Sequence, residues 1–451
     1  MGNFLASDGV ASILNRLRRL FMLVMGSPPD LTAHHWKVLG LVIAASIFSR
    51  YDNAILQLAL PRIQVDLGIG ESQLSNILAW IKLGALPAIL FLIAADRFGR
   101  RKLLIFTLTA YIILGIATAL VTDIRTFVVI QFLARLFITV EHTLAVIIIT
   151  EEFPAHARGW GIGTFVAISS VGYAGAAVLF AVIDWIPFGW RGMYLVGIIP
   201  LLFVVYLRRT LPETARFEEA KAARLAASYE ATDRVNRPII GKQIKAGIAP
   251  FVQVFRAYPQ RFAIVALIAF IANLAAEVPY FYDPLYLQNV HNWQPWHLTV
   301  STLAAGIFVL LFTPLVGRLS DRIGRKRTMT GFTVAVVMAV VLFYNSSNTL
   351  LLVAAWTITI IAIRGYDVSM TAINNEMFPT SYRSTAAGMQ GALGTLGGVL
   401  GFALHTLLTV WLGSPWLAVS AMICLLLCVP ILVMALPETS GRQLEEIAPE
   451  R

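Results

Sequence analysis

Charged residues are scarce in this sequence. Asp, Glu, Lys and Arg together make up 13% of its 451 residues, whereas 58% are hydrophobic. A typical soluble domain carries about 25% charged residues, so this chain has too few charges to cover a surface that faces water. The composition therefore excludes a soluble enzyme and favours a protein that lies largely within a membrane.

Cysteine is almost absent, and so are the motifs of cofactor chemistry. The two cysteines, Cys424 and Cys428, lie in one apolar run, where we expect them to be packing residues. They are too few for a disulfide framework or a cysteine-built metal site. The sequence has no G-x-x-x-x-G-K-[ST] phosphate loop, no nucleophile motif and no metal cluster. We therefore expect neither an enzyme nor a bound cofactor.

Long apolar runs make up most of the chain. A helix that crosses the hydrocarbon core of a bilayer needs about 20 residues. A transmembrane strand needs only about half that length, so these runs predict helices. The twelve runs cover residues 37–60, 73–95, 103–121, 126–150, 160–183, 191–207, 261–287, 297–317, 328–344, 350–375, 385–411 and 416–436.

The 35 basic residues are distributed unevenly among the connecting segments. Most of them fall on one side of the membrane, and basic residues prefer the cytoplasmic side. We therefore predict a multi-pass protein of the cell membrane with both termini in the cytoplasm. The net charge of +10 is then a consequence of topology, and nucleic acid is not an expected partner.

Composition divides the chain into five parts. Residues 10–25 carry an apolar stripe, with Arg16 and Arg19 away from it, which predicts an amphipathic helix at the membrane interface. A long hydrophilic stretch in the middle of the chain separates two membrane parts. We predict a cytoplasmic N-terminal segment at 1–35, six-helix bundles at 36–211 and 259–438, a cytoplasmic central loop at 212–258 and a cytoplasmic tail at 439–451.

The two membrane parts repeat one another. Three motifs occur once in each part at a constant offset of 225 residues, which predicts two parallel copies of a six-helix unit. They are DRFGRRK at 96–102 and DRIGRKR at 321–327, a Glu-to-Arg segment at 151–158 and 376–383, and PET at 212–214 and 437–439.

On these motifs the chain resembles the major facilitator superfamily over essentially its whole length. The D-R-x-G-R loops and P-E-T endings are most similar to the sugar-porter and organic-anion branches, the latter being metabolite–proton symporters. The resemblance implies an all-α membrane protein with twelve transmembrane helices in two six-helix repeats. It also implies a central site between the halves and transport by alternating access. The fifth run lacks the Gly-Pro pair typical of drug–proton antiporters, which disfavours multidrug export.

Each half places carboxylates and cations at the ends of neighbouring helices. We predict that they form a network that closes the cytoplasmic face; alternatively, the cations only fix the topology. One exposed ion pair contributes only about 0–1 kcal/mol, so such a network has to act collectively. The candidate gating residues are Asp96, Arg97, Arg101, Glu151 and Arg158 in the first half and Asp321, Arg322, Glu376 and Arg383 in the second, where Arg322, Lys326 and Arg383 are expected to pair with Glu376 and Glu438.

Ionisable residues inside the apolar runs are functional candidates, because each costs about 2.5 kcal/mol or more within a bilayer. Asp52 in the first run and Glu277 in the seventh occupy equivalent positions of the repeat, which suggests that both face a central cavity. Arg364 and Asp367 are three residues apart and share a helix face. They are interpreted either as substrate-binding residues or as a self-neutralised pair in the packing.

The fourth run contains Arg135. The resemblance to sugar porters and to spinster-like lipid carriers implies that Asp52 and Arg135 form a proton-coupled pair, the alternative being a permanent neutralising bridge. His142 lies on nearly the same helix face as Arg135 and is a candidate for binding substrate. Glu141 lies about 120° away on the helix and is a further candidate for proton coupling, unless it faces a neighbouring helix.

The seventh run carries Tyr280 among two prolines and further aromatic residues. This pattern suits a gate that closes over a bound substrate, to which Tyr280 would contribute, or an aromatic belt at the membrane interface. Sugar porters usually carry paired glutamines on this span. None is present here, which disfavours a hexose.

The leading hypothesis is therefore a proton-coupled symporter of a small organic solute, preferably a carboxylate or another anion. Its energy source would be the proton gradient, and its partners would be the small-molecule substrate, protons and the lipid bilayer. We expect it to act as a monomer. The alternatives are a proton-coupled exporter or flippase of drugs or lysophospholipids, a symporter of sugars or polyols, and a receptor that transports nothing.

Overall fold

The computed structural model describes residues 29–88, 90–91, 100–154, 157–208, 255–378 and 380–439. The described residues form helices joined by turns, and no strand occurs among them. The first half contains α1 (Ala33–Leu58), α2 (Leu60–Asp66), α3 (Glu71–Leu83), α4 (Arg100–Ala119), α5 (Ile124–Glu152), α6 (Arg158–Ser169), α7 (Val171–Ala181) and α8 (Trp190–Arg208). The second half contains α9 (Pro259–Asn289), α10 (Pro295–Ile323), α11 (Arg325–Tyr344), α12 (Thr349–Met377), α13 (Thr380–Leu412), α14 (Pro415–Ile423) and α15 (Cys428–Met434).

Each of the twelve predicted runs coincides with a helix or with a pair of consecutive helices. α6 and α7 together form the fifth crossing, and α14 and α15 form the twelfth, joined by a 3-10 turn at Cys424–Leu427. Within the described residues, nine helical segments are long and apolar enough to cross a membrane by themselves. The prediction of twelve transmembrane helices in two six-helix repeats is confirmed.

The repeat also holds in the helix boundaries. α4 and α11 begin and end 225 residues apart, and so do α5 and α12. The residues that cap α5 and α12 match as well: Asp123 accepts a hydrogen bond from the N–H of Thr126 at 2.9 Å, and Asn348 accepts one from the N–H of Leu350 at 2.9 Å. Short polar side chains at this position satisfy N–H groups that have no partner within the helix. The hydrogen bonds from Thr126 hold the pKa of the Asp123 carboxyl below its usual range.

The two halves pack against each other along their inner helices. α3 contacts α13, α7 contacts α10, and α1 contacts α9. Glycines allow the closest approaches: a Cβ on Gly172 in α7 would lie 1.8 Å from the Ile47 carbonyl oxygen of α1. We call the end of the bundle where α1 begins and α15 ends the proximal end, and the opposite end the distal end.

Some predicted features fall elsewhere or outside the described residues. Cys424 and Cys428 are free and exposed, so they lie on the outer surface of the bundle and not in its packing. The predicted interfacial helix at 10–25 lies outside the described residues. So does most of the predicted central loop, and the tail beyond residue 439.

Candidate functional site

A cavity with about 360 Å³ of empty space lies between the halves, bordered by α1, α3, α5 and α9. Its charged residues are Asp52, Lys82 and Arg135, and its neutral polar residues are Asn53 and Gln131. The cavity thus brings together Asp52 and Arg135, which are 83 positions apart in the chain. Its volume suits a small organic molecule.

Asp52 lies deep in the first half, where it is 6% exposed. Its carboxylate is hydrogen-bonded to the Tyr111 side chain of α4. On this side it borders a second cavity of about 260 Å³, lined also by Tyr111 and Tyr194. Asp52 therefore separates the cavity between the halves from a polar space inside the first half.

Arg135 does not bond directly to Asp52. Its Nη1 donates to Oδ1 of Asn53, the next residue along α1, and it interacts with the Asp52 carboxylate at longer range. Because Asn53 is neutral, no carboxylate is in contact with the guanidinium among the ion pairs of the described residues. The positive charge of Arg135 is thus directed at the cavity.

Glu277 forms an ion pair across the halves. Its Oε1 lies 2.5 Å from Nζ of Lys82, and the two side chains are 15% and 11% exposed. Gly398 of α13 lies against this pair, since a Cβ there would come within 2.8 Å of Lys82 Cε and 3.4 Å of Glu277 Cγ. The sequence indicated Glu277 but left the environment of Lys82 open between lipid and cavity, because residue spacing does not show which helix of the other half comes near.

A second group of charges surrounds Arg50 of α1. Arg50 is exposed and close enough to interact electrostatically with Arg135 of α5 and with Arg364 and Asp367 of α12. Arg364 Nη1 is 3.3 Å from Asp367 Oδ2, with 55% and 50% of the two side chains exposed. Since Arg50 belongs to the first half and α12 to the second, these exposed groups line the space between the halves. Sequence reasoning assigned no role to Arg50, although its position inside an apolar run was a signal.

Tyr280 lies beside this group of charges. Its ring is close enough to interact electrostatically with Arg50, Arg135 and Arg364, and the residue is 39% exposed. Its carbonyl oxygen accepts a hydrogen bond from Nε2 of Gln57 on α1. The residue predicted as a substrate contact thus lies where the two halves meet.

Glu141 and His142 face different surroundings. Glu141 is buried and accepts a hydrogen bond from Ser49 Oγ of α1 at 3.2 Å, so its carboxylate faces a neighbouring helix of its own half. The His142 ring packs on Phe165 of α6, with centroids 5.3 Å apart, and lies within electrostatic reach of Arg50.

The distal end is closed by hydrogen bonds between the halves. Ser75 Oγ of α3 lies 2.6 Å from the Tyr282 hydroxyl of α9 and 2.7 Å from Nδ1 of His405 on α13. His405 Nε2 in turn lies 3.0 Å from the Pro415 carbonyl oxygen. Further bonds between the halves run from Gln288 Nε2 to the Leu58 carbonyl oxygen at 3.0 Å and from Thr299 Oγ1 to the Ala177 carbonyl oxygen at 2.6 Å.

The charged cluster at the proximal end of the second half pairs differently from the prediction. Glu376 binds Arg325, with Nη2 to Oε1 at 3.0 Å and Nε to Oε2 at 3.3 Å. Glu438 accepts the backbone N–H groups of Arg325 and Lys326 at 3.0 and 3.3 Å. The Lys326 ammonium donates to the carbonyl oxygens of Met434 and Leu436, and Arg322 is exposed.

The reason for this difference is a change of chain direction at Gly324. Its φ of 102° lies in the region that favours glycine, and it separates α10 from α11. Arg325 therefore opens a new helix and points toward Glu376. All of these contacts join elements of the second half alone.

Several predicted gating residues lie outside this description. Asp96 and Arg97 are outside the described residues, as are the side chains of Arg101, Asp321 and Arg383. In the first half, Glu151 lies near the end of α5, and Nε of Arg158 donates to the Phe153 carbonyl oxygen at 3.1 Å.

A duplicated bundle of membrane helices with a charged cavity between its halves defines a membrane transporter. The chain matches the family described as "Sugar (and other) transporter" over residues 48–450, and it belongs to that family. It is accordingly not an enzyme.

Individual relatives cover nearly the whole chain. A niacin transporter of Acinetobacter baylyi is 24% identical over 92% of this chain and 96% of its own length. A cis,cis-muconate transport protein of the same organism is 25% identical over 82% of this chain and 86% of its own length. The crystal structure of a D-xylose-proton symporter superposes with a TM-score of 0.71 at 17% identity, covering 91% of this chain and 100% of that one.

Proposed function

We propose that this transporter is a proton-coupled symporter of small organic carboxylates. The observation that carries the proposal is the charge arrangement between the halves. Three guanidinium groups, those of Arg50, Arg135 and Arg364, lie near the buried carboxylate of Asp52. The names of the niacin and muconate relatives support an acidic substrate.

Electrostatics links proton and substrate. When Asp52 is ionised, it offsets part of the positive charge of the arginines. When it binds a proton, that charge becomes available to a substrate anion. Because linkage between two ligands is reciprocal, the bound anion also favours the protonated carboxyl. Proton and carboxylate therefore enter together, and the loaded cavity keeps the net charge of the empty one.

The second carboxylate of the repeat has a different role in this proposal. Lys82 holds Glu277 as an ion, so Glu277 is a fixed charge that joins the halves, and Asp52 carries the proton. Arg135, His142, Tyr280, Arg364 and Asp367 border the substrate, and Glu141 contributes to the packing of α5 on α1.

The proposal also fixes the orientation in the membrane. We place the proximal end, with its basic cluster around Arg325 and Lys326, in the cytoplasm, as basic residues prefer. The closed distal end then faces outward, so that this arrangement excludes the exterior from the cavity. The predicted segments 1–35, 212–258 and 439–451 lie in the cytoplasm, and the protein acts as a monomer in the cell membrane.

The test is uptake by proteoliposomes of nicotinate, cis,cis-muconate and benzoate, with and without a pH gradient. Asp52→Asn should keep exchange of labelled substrate across the membrane and lose accumulation driven by the gradient. The matched control is Asp184→Asn, since Asp184 pairs with Arg62 at the distal surface. If Asp52→Asn accumulates substrate as the parent does, the proton site is another group, such as Glu277, Glu141 or Asp367.

A second candidate function is symport of a sugar or polyol. Two neutral amide side chains, those of Asn53 and Gln131, line the cavity beside the charged groups, and amides are suitable partners for hydroxyl groups. The same proteoliposomes decide between the candidates. Uptake of xylose or arabinose without uptake of any acid would favour the sugar.

A further inference from the structure

Arg50 differs from the other two arginines of the cavity in its partners. Arg135 donates to Asn53, and Arg364 is paired with Asp367 at 3.3 Å. Arg50 has no hydrogen bond or ion pair among the described residues, although it is exposed to the space between the halves. A guanidinium carries five N–H donors in a planar fork, and those of Arg50 are all available to a ligand.

Two features argue that the helix fold does not require this arginine. The equivalent residue of the second half, 225 positions later, is Ala275, which is completely buried. An arginine inside a membrane span is also costly unless it meets an anion or water. The residue therefore has a task that only one half performs, as expected for an asymmetric substrate.

The surroundings of Arg50 match a carboxylate attached to a small organic group. The rings of Tyr280 and His142 lie within electrostatic reach of it, and Arg135 and Arg364 add positive charge. Asp367, the acidic group nearest in this set, is already bound by Arg364. A planar fork binds a carboxylate through two parallel hydrogen bonds, an arrangement that a single ammonium cannot provide.

We propose that Arg50 anchors the carboxylate of the substrate and thereby determines the preference of the carrier for acids over their neutral analogues. This inference rests on the proposed function, because it presupposes an acidic substrate. It adds the residue that recognises the acid and explains why Arg135 and Arg364, which have partners of their own, contribute charge without making the principal contact.

The test compares acids with their amides on the purified protein. Dissociation constants are measured for nicotinate, benzoate and cis,cis-muconate, and for the corresponding amides, on the parent chain and on Arg50→Gln. The acids should bind about 10- to 100-fold more weakly to Arg50→Gln, the range expected when a charge-assisted contact is lost. The amides should bind equally well to both proteins, which shows that the variant is folded.

Two further variants separate the contact from general charge. Arg50→Lys keeps the positive charge without the fork and should lie between the parent and Arg50→Gln. Arg62→Gln is the matched control, since Arg62 pairs with Asp184 away from the cavity; it should bind acids as the parent does.

The outcomes distinguish the inference from the function. If the parent prefers acids and Arg50→Gln keeps the same preference, Arg50 is not the anchor, while the proposed function stands. If the acids weaken equally in Arg50→Gln and Arg62→Gln, the effect is general charge and the inference is overturned. If the parent binds none of the acids, the proposed function fails and the anchor role fails with it.

Discussion

Removing either partner of the Lys82–Glu277 ion pair is expected to weaken the closure of the distal end. The two charges are 2.5 Å apart with little exposure. Breaking a buried pair by removing one partner typically costs about 3–5 kcal/mol, because the other charge stays buried alone. Lys82 belongs to the first half and Glu277 to the second, so the loss falls on the arrangement in which α3 and α9 meet. A loss of about 3 kcal/mol shifts the balance toward the distal-open arrangement about 100-fold.

The measurement is a distance distribution between spin labels at the distal end. Ser72 and Val290 are exposed there, one in each half; the exposed Cys424 and Cys428 are first replaced by Ala. Glu277→Gln and Lys82→Gln should each move the population to longer distances. The double variant has no buried unpaired charge, so it should return most of the way to the parent distribution.

The control variant is Arg62→Gln, which breaks an exposed pair within the first half. Such pairs contribute about 0–1 kcal/mol, so its distribution should match the parent. Unchanged distances in both single variants would refute the reasoning. Equal shifts in the single and double variants would show that the contact matters and the unpaired charge does not.

Two further predictions concern the framework of the fold. Gly172→Ala should lower the thermal unfolding temperature strongly, because its Cβ would overlap the Ile47 carbonyl oxygen at 1.8 Å, whereas Gly163→Ala, with nothing within 4 Å of its Cβ, should leave it nearly unchanged. Glu438→Gln should destabilise the second half by about 1 kcal/mol, as expected for a weakened helix cap, because its carboxylate accepts the first two N–H groups of α11; an unchanged unfolding temperature would contradict that role.

Most of the fold could be predicted from the sequence because its determinants are local. The apolar runs give the helices, and the motif offset of 225 residues reappears in the ends of α4 and α11. Asp123 and Asn348, which stand one repeat apart, cap equivalent helices. In each case neighbouring residues specify where a helix starts or how long it is.

The site was harder to predict because its partners come from different helices. The spacing of Arg364 and Asp367 on one helix sufficed for that pair, which the structure places at 3.3 Å. The partner of Glu277 lies on a helix of the other half, and Gly398, which makes room for Lys82, lies on a third. At the proximal end, the reversal at Gly324 turned Arg325 toward Glu376 in place of Arg322. No pattern within one segment encodes such contacts.

Asp52 and Glu277 show how a duplicated framework gives two carboxylates different tasks. They are equivalent in the repeat, but their neighbours are not. Tyr111, which bonds to Asp52, corresponds to Val336, and Lys82, which binds Glu277, corresponds to Ile307. Each carboxylate therefore lacks the partner that the other has. A carboxyl beside a neutral hydroxyl can exchange a proton without losing an ion pair, whereas protonating Glu277 would leave the Lys82 ammonium buried without its counter-charge. The substitutions at these two partner positions thus favour proton coupling through Asp52 and contact between the halves through Glu277.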